Sequence, residues 1–135
     1  MTAEIATAEP TFLLVDDDDY SLDLARLTLG KLGFKQVQTA HDGRDGLRTL
    51  DAMEQPPDFL ICDVFMPDKD GIEFMAELAQ RGYCGGVILN SGGDSQMLAM
   101  TRQIAMESGL KVLGAFTKPL QLDELTQALS AGGHT

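Results

Sequence analysis

The chain has 135 residues, of which 44% are hydrophobic and 23% are charged, a composition typical of one globular domain. Its 21 acidic and 10 basic side chains give a formal net charge of −11 at pH 7. A surface this acidic repels phosphate backbones and anionic lipids, which argues against direct binding of nucleic acid or of a membrane surface. The two cysteines and two histidines fit neither a disulfide framework nor a zinc cluster, so we expect a reduced, cytoplasmic protein.

The N-terminal segment is not expected to be a secretion signal. The first basic residue is Arg26, so the start lacks the positively charged region of a secretion signal. No apolar run approaches the length of about 18 residues that a membrane span needs. We assign residues 1–10 to a flexible leader, 11–130 to the domain, and 131–135 to a flexible tail or the start of a linker.

Short apolar runs alternate along the chain with segments whose apolar residues recur at helical spacing. The predicted strands are residues 12–15, 36–39, 59–62, 87–89 and 112–117. The predicted helices are residues 20–32, 44–50, 72–79, 97–104 and 122–129. Gly33, Gly82 and Gly109 are predicted to end three of these helices. Regular alternation with continuously apolar strands predicts a parallel sheet that helices cover on both faces.

Polar side chains follow four of the predicted strands, at the point where each strand ends. These residues are Asp16 to Asp19 after strand one, Asp63 after strand three, Ser91 after strand four, and Lys118 with Pro119 after strand five. In sheets of this kind, ligands bind at the carboxyl ends of the strands, near the point where the strand order reverses. The sequence therefore predicts a functional site at this edge of the sheet.

The residue types at this edge favour phosphoryl chemistry. If strands one and three are neighbours, Asp16, Asp17 and Asp63 converge, and their mutual repulsion needs a proton or a cation. Mg²⁺ fits best, because it takes oxygen ligands, keeps several waters and binds phosphate oxygens. Lys118 adds a compact cation and Ser91 adds a hydroxyl on a loop flanked by glycines. A carboxylate nucleophile, a metal and these two groups make a phosphoryl-accepting site.

These motifs together resemble the receiver domain of bacterial two-component response regulators. The matching pieces are LLVDD at 13–17, DVFMPDKDG at 63–71, Ser91, and Lys118–Pro119, within a match that covers residues 12–129. The resemblance implies a doubly wound α/β fold of the flavodoxin-like, CheY-like type. Its five parallel strands would have the order 2-1-3-4-5, flanked by five helices.

The resemblance also implies a role for each site residue. Asp63 would be the phosphoacceptor, and Mg²⁺ would be held by Asp63 itself, by Asp17 directly and by Asp16 largely through water. The backbone carbonyl of Phe65 would be a further metal ligand. Ser91 would be the switch hydroxyl, and Lys118 would pair with the phosphoryl oxygens. These are the expected site residues, and the peptide bond between Lys118 and Pro119 is expected to be cis.

The partners implied by the resemblance are a sensor histidine kinase or a phosphotransfer protein as phosphoryl donor. Such a domain catalyses only its own phosphorylation and dephosphorylation, and it switches conformation to control an output domain or a partner. The switching face, made by helix 4, strand 5 and helix 5, is also a candidate surface for a homodimer. The segment SGLKVLG at 108–114 is similar to receivers that precede cyclic-di-GMP phosphodiesterase domains.

Two features depart from the usual receiver pattern. Ala115 stands three positions before Lys118, where receivers commonly carry an aromatic switch residue, and Phe116 should point the opposite way by strand alternation. Ser91 and Lys118 lie 27 positions apart, which predicts an extended helix 4 or longer flanks.

A further hypothesis concerns how long the phosphorylated state lasts. Phe65 and Gly93, the residues two positions after Asp63 and Ser91, border the phosphoryl group and cannot orient an attacking water. We therefore expect the phosphorylated state to hydrolyse slowly.

Other interpretations of the same residues remain open at this stage. Asp18 or Asp19 is expected to cap helix 1. Ser91, which precedes two glycines, is also a typical turn former. Asp68, Asp70 and Gly71 are expected to shape a loop and to start helix 3.

Three alternative functions were weighed against the receiver. An aspartate-nucleophile phosphatase would have an acid two positions after the nucleophile, where Phe65 stands. A pseudo-receiver, acting only in binding or dimerisation, would not need the complete acidic set with Lys118. A flavin-binding domain would need a phosphate-binding loop after strand one, where this chain has four aspartates.

Overall fold

The computed structural model describes residues 9–66, 71–93 and 95–131 of the chain. Strands and helices alternate throughout, as the sequence predicts. In chain order they are β1 (Phe12–Val15), α1 (Asp19–Lys31), β2 (Val37–Ala40), α2 (Gly43–Ala52), β3 (Phe59–Asp63), α3 (Gly71–Gln80), β4 (Gly86–Ser91), α4 (Ser95–Glu107), β5 (Lys111–Thr117) and α5 (Leu122–Ala131). Asp68 and Asp70, expected to shape the loop before α3, lie outside the described residues.

The strands form one parallel sheet with the order β2-β1-β3-β4-β5, which confirms the doubly wound topology expected from the sequence. Val15 of β1 pairs with Cys62 of β3, and Cys62 pairs in turn with Leu89 of β4. The carboxyl ends of the three central strands therefore lie side by side. Because the strand order reverses between β1 and β3, this edge is also the topological switch point.

Two apolar cores flank the sheet, one on each face, because alternate side chains of each strand point to opposite sides. Leu13, Leu60 and Leu89 face the core shared with α2, α3 and α4. Leu14 and Ile88 face the core shared with α1 and α5. All five of these strand residues are at most 1% exposed, so the central strands are buried on both sides.

The helix ends follow the chemistry of their flanking residues. Asp18 caps α1, as expected, because its Oδ2 accepts hydrogen bonds from the backbone nitrogen of Ser21 at 3.2 Å and from its Oγ at 2.8 Å. Gly33, Gly82 and Gly109 follow α1, α3 and α4 with φ of 89°, 69° and 93°. Glycine adopts this left-handed conformation without steric cost, and the predicted helix ends at these positions are confirmed.

Some predicted boundaries differ from the structure by one to three residues. The strand predicted at 87–89 is longer, running from Gly86 to Ser91, because its polar last residues still pair with the neighbouring strands. Ser91 is therefore the last residue of β4 and not part of the loop. Ala131, assigned to the flexible tail, is the last residue of α5.

Strand β5 contains an irregularity that apolar patterning does not reveal. Val87 pairs with Val112, whereas the next residue, Ile88, pairs with Gly114, so Leu113 is an extra residue on β5. The bulge reverses the alternation of side chains along the second half of the strand.

Within the described ranges, no helix is both long enough and apolar enough to cross a membrane.

Candidate functional site

The carboxyl ends of β1 and β3 bring three aspartates together. Asp16 follows β1 and Asp63 ends β3, and both are nearly buried, with exposed fractions of 6% and 5%. Asp17 is exposed beside them. One carboxylate oxygen from each of the three residues lies within 4.8 Å of the other two. The sheet register thus assembles the acidic group that the sequence predicts.

Lys118 joins the same cluster from the end of β5. Its Nζ donates to Asp16 Oδ2 at 2.8 Å and to Asp63 Oδ2 at 3.3 Å. Its backbone nitrogen donates to the carbonyl oxygen of Ser91 at 2.8 Å, which fixes the lysine to the end of β4. The peptide bond between Lys118 and Pro119 is cis.

Burial and neighbouring charges together set the protonation of these groups. The pKa of Asp63 is raised to about 6, chiefly by burial and also by the charge of Asp16. The hydrogen bond from the Phe65 backbone and the nearby Lys118 ammonium act in the opposite direction. Burial alone would lower the pKa of Lys118, but its hydrogen bond to Asp16 and both carboxylate charges keep that pKa above its usual value.

Phe65 and Ser91 border the cluster in different ways. The backbone nitrogen of Phe65 donates to Asp63 Oδ1 at 3.2 Å, while the Phe65 side chain is 42% exposed. Ser91 is 1% exposed, and its Oγ accepts a long hydrogen bond of 3.4 Å from the backbone of Gly93. Both residues therefore lie at the same edge of the sheet as Asp63, one on the loop after β3 and one at the end of β4.

The acidic group has the composition of a magnesium site. Carboxylate oxygens are the ligands that Mg²⁺ prefers in proteins, and one oxygen from each of the three aspartates lies within 4.8 Å of the other two, a group that could hold one metal ion. The exposed position of Asp17 leaves one side of the group open to water and to phosphate oxygens. The residues present fit the metal.

Comparison with known proteins agrees with this site. The family model for the response regulator receiver domain matches residues 12–130. The chain belongs to the response regulator receiver domain family. It is a phosphoacceptor domain of two-component signalling.

Individual relatives lead to the same family. This chain is 31% identical over 117 residues to the transcriptional regulatory protein TrcR of Mycobacterium tuberculosis, in an alignment that covers 87% of this chain and 42% of TrcR. It is 30% identical over 122 residues to a probable chemotaxis protein CheY of Rhizobium etli, covering 88% of each chain. A response regulator structure from Colwellia psychrerythraea superposes with a TM-score of 0.75 at 31% identity, covering 92% of this chain and 96% of that one.

The structure shows the surroundings of Ala115, which stands where receivers commonly carry an aromatic switch residue. Ala115 packs against the core on the α4 side of the sheet, while Phe116 packs on the opposite side, with α1 and α5, as predicted. Beside Ala115, residues such as Leu98 and Met106 of α4 line an open groove of about 520 Å³. None of the described residues that line this groove carries an aromatic ring, and Ala115 contributes only a methyl group.

Asn90 is a site residue that the sequence analysis missed. It is 7% exposed, lies next to Asp63 in the sheet register, and its Oδ1 atom is buried with no hydrogen-bond partner among the described residues. A polar residue directly after the apolar run Val87-Ile88-Leu89 was the available signal.

Proposed function

We propose that Asp63 is the residue that accepts the phosphoryl group. The observation that carries this proposal is the position of its carboxylate, nearly buried within the group formed with Asp16 and Asp17 and hydrogen-bonded to Lys118. At this position the carboxylate can bind a metal ion together with Asp16 and Asp17, and it already contacts the Lys118 ammonium. Those are the two sources of positive charge that phosphoryl transfer needs.

In the proposed reaction, a carboxylate oxygen of ionised Asp63 attacks the phosphorus atom of a phosphohistidine. A P–O bond forms as the P–N bond breaks, and the imidazole leaves with the electron pair and takes up a proton. Lys118 neutralises charge on the transferred group, since its ammonium already lies 3.3 Å from Asp63 Oδ2. The chain thus promotes its own phosphorylation by orientation and charge neutralisation.

Mg²⁺ is the proposed cofactor, with Asp17 and Asp63 as direct ligands, Asp16 largely through water, and the Phe65 carbonyl as a further ligand. When bound, the metal supplies positive charge to the phosphoryl oxygens. The hydrogen bond from the Phe65 backbone to Asp63 supports the proposed geometry, because it holds the loop after β3 against the carboxylate.

Ser91 and Lys118 form the proposed switch. In this proposal the Ser91 hydroxyl turns toward the phosphoryl group and Lys118 pairs with its oxygens. The hydrogen bond between the two backbones supports a concerted movement of the ends of β4 and β5. Movement there would repack the face made by α4, β5 and α5.

The remaining assignments extend beyond the site. We propose a sensor histidine kinase or phosphotransfer protein as donor, a receiver domain at 11–130, and a cytoplasmic location. A C-terminal output domain, with cyclic-di-GMP turnover suggested by SGLKVLG at 108–114, and a homodimer through α4, β5 and α5 are further parts of the proposal. The chain spans only 42% of the length of TrcR, a proportion that leaves room for an output domain in a longer protein.

The test is the mass of the intact protein after incubation with Mg²⁺ and acetyl phosphate. We expect the gain of one phosphoryl group, requiring Mg²⁺ and lost in Asp63→Asn. Asp23→Asn, at an exposed aspartate of α1, is the matched control and should be phosphorylated normally. No gain in the unmodified chain, together with no Mg²⁺ binding by titration, would reject the proposal and leave an interaction module with a receiver fold.

A further inference from the structure

Asn90 lies directly beside Asp63 at the carboxyl end of the sheet. The two residues are register partners on β4 and β3, and neighbouring strands lie about 4.8 Å apart. Both side chains point to the same face, because Ile61 and Ile88, two positions earlier on the same strands, both pack in the core shared with α1 and α5. Asn90 is therefore next to the proposed phosphoacceptor, although none of the roles proposed above uses it.

The hydrogen bonding of the Asn90 side chain is incomplete. The residue is 7% exposed, and its Oδ1 is enclosed without a hydrogen-bond partner among the described residues. Buried polar atoms are almost always paired, and one that is left unpaired costs free energy. Asn90 also borders, with Asp16 and Asp63, a void of about 10 Å³, no larger than one water molecule needs. The unpaired oxygen makes the present rotamer costly, and the void leaves the amide some space on the side of Asp63.

Phosphorylation of Asp63 would change which donors this place needs. One oxygen of Asp63 now accepts from the Lys118 ammonium at 3.3 Å, and the other accepts from the Phe65 backbone at 3.2 Å. In the proposed function, on which this inference rests, Lys118 pairs with the phosphoryl oxygens and is thereby drawn away from Asp63. The Asp63 oxygen that remains a carbonyl has two lone pairs, one for the metal and one for a hydrogen bond. The Asn90 amide is the neighbouring group that can donate to it.

We propose that Asn90 is a positioning residue of phosphoryl transfer, whose side-chain NH₂ group turns to Asp63 and donates to the carbonyl oxygen of the aspartyl phosphate. The same turn takes Oδ1 out of its enclosure, so a hydrogen bond forms while the cost of a buried unpaired oxygen is removed. An amide suits this place because it donates without adding charge to a group of three carboxylates.

Asn90 is the only asparagine of the chain, which allows a direct spectroscopic test. A chain labelled with ¹⁵N in the asparagine side-chain amide gives a single pair of amide proton signals. These signals are recorded with Mg²⁺ alone and again after acetyl phosphate is added, while intact mass reports the phosphorylated fraction. We expect one proton signal to move downfield on phosphorylation, as a proton does when it enters a hydrogen bond, and to stay in place with Mg²⁺ alone. Unchanged signals in a phosphorylated chain would overturn the proposal.

Asn90→Leu, of similar volume, removes the donor and the unpaired oxygen together. We expect its initial rate of phosphoryl uptake to fall about threefold to tenfold, which corresponds to one hydrogen bond. The midpoint of its urea denaturation in EDTA should stay the same or rise, because a buried unpaired oxygen is lost. A residue needed only for packing would lower both quantities. Gln127→Leu, at an exposed amide of α5, is the control and should change neither.

The outcomes separate this inference from the proposed function. If the unmodified chain gains no phosphoryl group, both are rejected. If the unmodified chain gains one but Asn90→Leu reacts at the same rate, or the Asn90 signals do not move, the inference alone is rejected. The labelled unmodified chain decides the question even if Asn90→Leu does not fold.

Discussion

The Lys118 ammonium lies 2.8 Å from the Asp16 carboxylate, and only 16% and 9% of the two side chains are exposed. The contact to Asp63 is longer, at 3.3 Å. Lys118 thus occupies one oxygen of each buried aspartate and lowers the repulsion between them. In this arrangement the lysine partly neutralises the two carboxylates, as a bound cation would, and it competes with such a cation for their oxygens.

This competition predicts the effect of Lys118→Met on metal binding. Removing the ammonium makes the net charge of the site one unit more negative. We therefore expect the affinity for Mg²⁺ to rise on the order of tenfold, which corresponds to about 1.4 kcal/mol of binding free energy. Phosphoryl uptake from acetyl phosphate should fall at the same time, because the group that pairs with the phosphoryl oxygens is lost. Calorimetric titration with Mg²⁺ measures the first effect. Lys111→Met, at an exposed lysine of β5, is the control, and equal affinities in the two variants would contradict the prediction.

The raised pKa of Asp63 makes a prediction about stability without metal. The pKa of Asp63 is about 6 in the folded chain and about 3.9 in an unfolded one, so between these values the native state binds more protons. The contribution of Asp63 to the free energy of unfolding therefore falls as pH rises through this window. Asp63→Asn cannot ionise, and above pH 6 we expect it to raise the free energy of unfolding by about 1–3 kcal/mol.

Urea denaturation in EDTA, followed by circular dichroism because the chain has no tryptophan, measures this difference. The gain should shrink as pH falls toward about 4, where Asp63 is protonated in both states. A gain that stays constant across this range would show that ionisation of Asp63 is not its cause.

The acidic site was largely predictable from the sequence because it depends on strand ends. Asp16, Asp63 and Lys118 each follow an apolar run, and parallel strands bring their carboxyl ends to one edge. Apolar patterning carries that information even when strand boundaries are off by a residue or two. The strand order itself came from the resemblance to receivers.

Other features of the structure were not predicted from the sequence. The extra residue Leu113 depends on the register between β4 and β5, and a run of apolar residues fits several registers equally well. The unpaired oxygen of Asn90 depends on what surrounds it in three dimensions. Asp42 caps α2 by accepting a hydrogen bond from the Asp45 backbone nitrogen at 2.7 Å, and an aspartate just before a helix is a typical sequence signal for such a cap.

The lifetime of the phosphorylated state tests the role of Phe65. Its side chain is 42% exposed, and its backbone is hydrogen-bonded to Asp63, so it borders the site without offering a polar group. We expect hydrolysis to be slow, and Phe65→Asn to accelerate it by supplying an amide that orients water. Loss of the phosphoryl mass with time measures the rate. Phe65→Ala, which opens the same space without a polar group, should not accelerate hydrolysis, and a half-life of only seconds in the unmodified chain would refute the idea.

The structure of β5 around its bulge predicts a larger loss of stability for one of two neighbouring substitutions than for the other. A Cβ atom at Gly114 would lie 2.5 Å from two ring atoms of Phe116, so Gly114→Ala must shift that partly buried ring from its present position. We expect it to lower the free energy of unfolding by about 1–3 kcal/mol. Ala115 instead borders the open groove beside α4, where Ala115→Tyr has room and should change stability by less than about 1 kcal/mol. Urea denaturation of the two variants side by side measures both, and equal losses would show that the groove and the bulge do not govern what each position tolerates.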